Sequence, residues 1–138
     1  MQQALDTLAV STRGAGLYEI TDDVAGWVRG TGFQLGLLTV FCRHTSAGLL
    51  ITENASPAVW RDLQRWMSHV VPEGDHYEHS DEGPDDMPAH LKSVLTGNSV
   101  TVPVSDGRIM LGTWQGLFLA EFRRAPHRRS VVMHLAGQ

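Results

Sequence analysis

An α+β domain with a largely antiparallel sheet system and two or three helices is predicted by three observations. Strand-like segments outnumber helical ones, the helices are not interleaved one per strand, and the last third alternates like strand between punctuating glycines. The 138-residue chain has the length of one domain and carries no repeat, low-complexity tract or Pro/Ser linker, so 1–138 is read as a single unit.

Residues Gln3–Thr12 alternate loosely as a strand, and Gly14 and Gly16 punctuate its end. Thr21 is placed to cap a short helix with Asp22 and Asp23 in its first turn, and Gly30 and Gly32 stop it. Leu35, Leu37, Leu38, Val40 and Phe41 follow with little polar interruption, which predicts a central strand covered on both faces. After Leu49–Thr52, a further strand, Ser56-Pro57 opens a helix whose apolar stripe is Val59, Trp60, Leu63, Trp66, Met67 and Val70. That spacing assigns Trp60 and Trp66 to the core. Pro72–Pro84 is a long acidic, histidine-bearing loop of a kind that is often functional or disordered. Pro88 fits the first turn of another helix, Gly97 its end, and Met87, Leu91, Val94 and Leu95 its apolar stripe. Val100, Val102 and Val104 alternate as a strand, with Pro103 marking an edge or a strand end, and Leu117–Phe122 and Ser130–Leu135 complete the β-rich end.

Composition removes several functions. A formal charge of −4 with only small Lys/Arg clusters argues against nucleic acid, whose binding needs a broad basic field. No apolar run approaches the ~18 residues of a membrane-spanning helix, and no secretory leader pattern is present. The lone Cys42 lies within an apolar strand and fits a reducing compartment, so the cytoplasm is the expected location. Neither GxGxxG nor a phosphate-binding P-loop occurs, and no Cys or GxSxG nucleophile stands in a polar setting.

His44 at a strand end, His79 in the long loop and His90 near a helix start are the residues whose chemistry fits a divalent ion. Three imidazoles and an open position make a catalytic arrangement that polarises oxygen or activates water. No short His-x-x-x-His pair supports the metal reading, and spacing alone leaves each as a surface or hydrogen-bonded histidine. Glu53 and Asn54 stand where a strand ends before a helix, and Asp81, Glu82, Asp85 and Asp86 lie near the histidines as orienting groups or bases. Glu121 alternates with Leu117 and Leu119 toward a packed face, where a carboxylate needs a partner. Trp114 and Gln115, between Gly112 and Gly116, combine a flat ring with a bidentate amide, or form a tight turn around a buried Trp.

Taken in order, His44-Thr45-Ser46-Ala47-Gly48-Leu49 with Glu53-Asn54, Tyr77-Glu78-His79, Glu82-Gly83-Pro84-Asp85-Asp86-Met87-Pro88-Ala89-His90-Leu91-Lys92-Ser93, Gly112-Thr113-Trp114-Gln115-Gly116, Glu121 and Arg129 resemble the YjbQ family over nearly the whole chain. The resemblance implies β-sandwich-like sheets, a homotrimer, and a site near the subunit boundary where His44, His79 and His90 gather. It also implies a secondary thiamine-phosphate synthase activity on a small phosphorylated heterocyclic substrate. In that frame His44, His79 and His90 are the metal ligands, and imidazole donors favour a Zn-like ion over Mg²⁺. Glu53, Gln115 and Glu121 are the catalytic candidates, and Arg43, Ser46, Asn54, Trp114 and Arg129 the substrate-binding ones, with Trp114 stacking on a ring and Arg129 or Arg43 holding phosphate.

Overall fold

The computed structural model describes residues 1–138 as eight strands and three helices in one α+β unit. In chain order these are β1 (Gln2–Ser11), β2 (Gly16–Glu19), α1 (Thr21–Thr31), β3 (Leu35–Cys42), β4 (Ala47–Glu53), α2 (Pro57–Val70), α3 (Asp86–Thr96), β5 (Ser99–Ser105), β6 (Arg108–Ile109), β7 (Gln115–Glu121) and β8 (Arg128–Gly137). Every strand pairing is antiparallel: one sheet runs β1-β8-β3-β5-β6 and the other β2-β7-β4. No helix is long and apolar enough to cross a membrane.

The two sheets bury their facing side chains together. Leu38, Val40, Val102, Val131, Met133 and Leu135 from the larger sheet meet Leu49, Leu117 and Leu119 from the smaller, and Val24 and Val28 of α1 join them. Alternation along β7 turns Phe118 and Ala120 to the other side, where Trp60 and Met67 of α2 and Ala89 of α3 cover them. The smaller sheet is therefore covered on both faces. The larger sheet is covered on one.

That asymmetry corrects one expectation. β3 is central, between β8 and β5, yet Leu35 is 59% and Leu37 50% exposed, because no helix layer lies over the outer face of its sheet. Two helix stripes are corrected as well. In α3 the buried residues are Asp86, Pro88, Ala89 and Ser93, while Val94 is 82% exposed. Small side chains bring α3 close to β4: the Ser93 hydroxyl donates to the Ala47 carbonyl at 2.7 Å, and a Cβ on Gly48 would sit 2.8 Å from the Gly97 carbonyl. In α2, Trp60 packs edge-on against Phe118, whereas Trp66 is exposed. Thr21 is the first residue of α1 rather than its cap; its hydroxyl donates to Glu19 and accepts from the Leu117 N–H.

Candidate functional site

Asp86 occupies the first turn of α3, and one helical turn later His90 falls on the same face. The Asp86 carboxylate is nearly buried, and its two oxygens are divided. Oδ1 accepts from Arg123 Nη1 at 2.7 Å; Oδ2 faces His79 Nε2 at 2.7 Å and His90 Nε2 at 3.2 Å. His79 arrives from the long loop that the sequence singles out, and Arg123 from the end of β7, where it also bonds Asp85 and the Glu82 carbonyl. Burial pushes the Asp86 carboxyl up, but the His79 hydrogen bond and the His90 and Arg123 charges outweigh it, so its pKa is lowered. The same hydrogen bond, donated by His79 to Asp86, raises that of His79.

The tautomer of His90 is fixed by its other nitrogen. Nδ1 lies 2.8 Å from the Thr45 carbonyl, which only accepts, so Nδ1 carries the hydrogen and the neutral ring presents the Nε2 lone pair to Asp86. An acceptor thus faces an acceptor. A proton or a metal cation resolves that arrangement. Ligand atoms on tetrahedral bonds of about 2.0–2.1 Å lie about 3.3 Å apart; the 3.2 Å from His90 Nε2 to Asp86 Oδ2 is close to that, while the 2.7 Å from His79 Nε2 is a hydrogen-bond distance. The donor atoms of His79, Asp86 and His90 all lie within 4.8 Å of one another. Two imidazoles and one carboxylate, with one ring oriented by a backbone carbonyl and the carboxylate by an arginine, fit a Zn-like ion.

His44 does not join this group. It follows β3, its Nε2 accepts from the Ser130 backbone N–H at 2.8 Å, and its Nδ1 lies 3.4 Å from Arg129 Nη1. Desolvation first, and then the Arg129 charge, lower its pKa. Arg129 and Glu121 form a buried ion pair across the end of the two sheets, and Ser46 and Thr12 complete their hydrogen bonding. Burial raises the Glu121 carboxyl, and the bonds from Arg129 and Thr12 more than reverse it, so it too is lowered. Arg43 is exposed at a cleft beside His44.

The remaining candidates lie elsewhere. Glu53 ends β4, and its carboxylate accepts the Ala55 and Ser56 N–H groups, closing the turn into α2 in place of a side-chain cap from Ser56. Asn54 Nδ2 donates to Glu19, Gln115 Oε1 accepts from Gly112 N–H, and Trp114 is 64% exposed. Ala47 pairs with Glu121 at one end of the β4–β7 ladder and Glu53 with Gln115 at the other. At ~3.3 Å per strand residue the ends are about 20 Å apart. Within one copy, His79 and His90 come together, His44 sits with Ser46, Glu121 and Arg129, and Glu53, Asn54, Trp114 and Gln115 form a separate group. Asp86 stands outside the ligand set read from sequence. The Asp-x-x-x-His spacing of residues 86 and 90 on a helix is the signal that points to it.

Comparison with known proteins covers nearly the whole chain. Residues 6–138 match the family model described as UPF0047 protein YjbQ-like. The UPF0047 protein sll1880 of Synechocystis sp. is 46% identical, covering 99% of this chain and 94% of its own length. The UPF0047 protein YjbQ of Escherichia coli O157:H7 is 39% identical over 96% of both chains. Among solved structures, a YbjQ-like protein of unknown function from Sulfolobus solfataricus superposes with a TM-score of 0.92 at 25% identity, covering 99% of each chain. A conserved hypothetical protein from Thermus thermophilus superposes at 0.84 with 36% identity, covering 95% of this chain and 99% of its own.

Proposed function

The chain belongs to the UPF0047 (YjbQ-like) family, and from that premise and the imidazoles paired on Asp86 we propose an enzyme that acts on a small phosphorylated heterocycle with a divalent cation held by His79, Asp86 and His90. The observation that carries the proposal is the His90 lone pair facing the Asp86 carboxylate, with Thr45 fixing the ring. His44 is left out of the ligand set because the Ser130 N–H occupies its Nε2. A bound Zn-like ion would neutralise charge on phosphate oxygens.

The reaction implied by family resemblance is thiamine-phosphate formation. The bond from the pyrimidine methyl carbon to the diphosphate oxygen breaks, its electron pair leaves with pyrophosphate, and the thiazole-phosphate nitrogen lone pair forms the new C–N bond. Arg123 and Thr45 hold Asp86 and His90 in place for this. Trp114, Gln115, Glu53 and Asn54 offer a ring face and polar atoms to a heterocycle. They lie too far from His90 to serve it within one copy, so the proposal includes a homotrimer in which a neighbour supplies them. Its contact surface is assigned to the open face of β1-β8-β3-β5, where Leu5, Leu35, Leu37 and Phe41 are exposed.

The donor set favours a second reading, because two imidazoles and a carboxylate are also the ligands of zinc hydrolases. One assay separates the two. Purified metal-loaded protein is given both precursors, and thiamine phosphate and hydrolysis products are followed. Thiamine phosphate that disappears in folded His90→Ala supports the first reading; hydrolysis alone supports the second. No turnover of either kind, with metal bound, overturns both in favour of a metabolite-binding protein.

A further inference from the structure

Arg129 is only 4% exposed, and three of its N–H groups are accounted for. Nε donates to Glu121 Oε1 at 2.8 Å, and Nη2 donates to Glu121 Oε2, to the Ser46 hydroxyl at 2.9 Å and to the Ser46 carbonyl at 3.3 Å. Nη1 has one polar neighbour, His44 Nδ1, at 3.4 Å. The Ser130 backbone N–H can only donate, so His44 Nε2 must accept from it, and in the neutral ring Nδ1 then carries the hydrogen. A donor faces a donor. Among the protein's own hydrogen bonds, neither His44 Nδ1–H nor Arg129 Nη1 then has an acceptor.

His44 also borders open space. One cleft of about 370 Å³ is bounded by His44, Thr45, His90 and Asn98 among others, and an adjoining one of about 340 Å³ adds Arg43; no Asp or Glu lines either. Glu121 already balances the Arg129 charge, so the pair offers directed N–H donors, and Arg43 supplies the positive charge at the cleft. Arg129 lines neither cleft itself and reaches them only through His44. We propose that His44 Nδ1–H, with Arg129 Nη1 3.4 Å from it, is the donor that takes a phosphoryl oxygen, with Arg43 at the rim and His90 across the cleft. Burial and Arg129 keep the imidazole neutral, as this role requires. The inference deepens the proposed function by naming where the substrate's phosphate is held, and it stands without any metal.

The test uses metal-free protein with ¹⁵N-labelled imidazoles. Nitrogen–proton NMR correlations at pH 7.5 read the His44 tautomer, and inorganic phosphate is then titrated against acetate at matched ionic strength. The expected result is an Nδ1–H tautomer whose resonances move with phosphate and not with acetate. Phosphate binding should weaken about tenfold in His44→Ala and also weaken in the surface variant Arg43→Gln. An Nε2–H or doubly protonated ring overturns the proposal whatever the variants do. So does an unchanged spectrum, which would mean that a buried water satisfies the donors, or an equal response to acetate. Because no metal is present, these outcomes are independent of the His79, Asp86 and His90 reading.

Discussion

Asn in place of Asp86 keeps the side-chain shape but removes the charge that two imidazoles and Arg123 converge on. Asp86→Asn is expected to lower metal affinity by at least about tenfold, measured by competition with a chromogenic chelator. Arg129 presents a different cost. Truncating one member of a buried ion pair strands the other, so Arg129→Met should destabilise the fold by about 3–5 kcal/mol in urea unfolding, given that Glu121 is fully buried beside it. His44 and His79 make pH-dependent contributions of opposite sign, and His44 gives the one lost on acidification. Its folded pKa lies below the unfolded value of about 6.5, so its contribution is present above that pH and is lost on acidification toward the folded pKa. His79, raised by Asp86, acts in the opposite sense, its contribution being present below about 6.5 and lost as pH rises through the folded pKa. Urea midpoints between pH 7.5 and 5.5 should therefore fall less in His44→Asn than in the wild type; an equal fall would remove His44 as a cause. The identities of these histidines are legible in sequence, but their partners are not. Which ring nitrogen is free depends on the Thr45 carbonyl and the Ser130 N–H, contacts that span 45 and 86 residues.

At the scale of the elements, turn residues and periodicity locate the strands and helices well, because Pro57, Gly32 and Gly97 mark real helix ends. Periodicity says less about which face is buried. The sequence stripe of α3 includes Val94 and Leu95, yet the contact with β4 is made by Ala89 and Ser93, since small residues allow the closer approach. Gly48 is the matching small residue on the strand. Gly48→Ala should push α3 outward and cost about 1–3 kcal/mol as an overpacked contact, read as a lower urea midpoint. It should also disturb His90, whose ring is tied to Thr45 just before β4. Glu53 has partners that periodicity does not show: its carboxylate accepts the two N–H groups that open α2.

For the whole molecule, the uncovered face of the larger sheet and the separation of Trp114 from His90 both bear on assembly. A chain-level reading of β3 as buried on both sides fits Leu35, Leu37 and Phe41 by composition; one copy covers only the inner side. If a second copy completes the burial, Leu37→Lys should shift sedimentation from trimer to monomer while leaving the secondary structure unchanged. A shared site makes a further demand: mixed trimers of His90→Ala and Trp114→Ala should recover activity that neither variant has alone. A wild-type monomer would contradict both expectations. The account rests most heavily on the metal cation proposed to resolve the acceptor-against-acceptor contact at His90 and Asp86. Its most direct test is elemental analysis of protein purified without added metal, comparing wild type with Asp86→Asn, His79→Ala, His90→Ala and His44→Ala. The account predicts near-stoichiometric Zn-like metal that is lost in the first three and retained in His44→Ala; metal-free wild type, or metal lost only with His44, would contradict it.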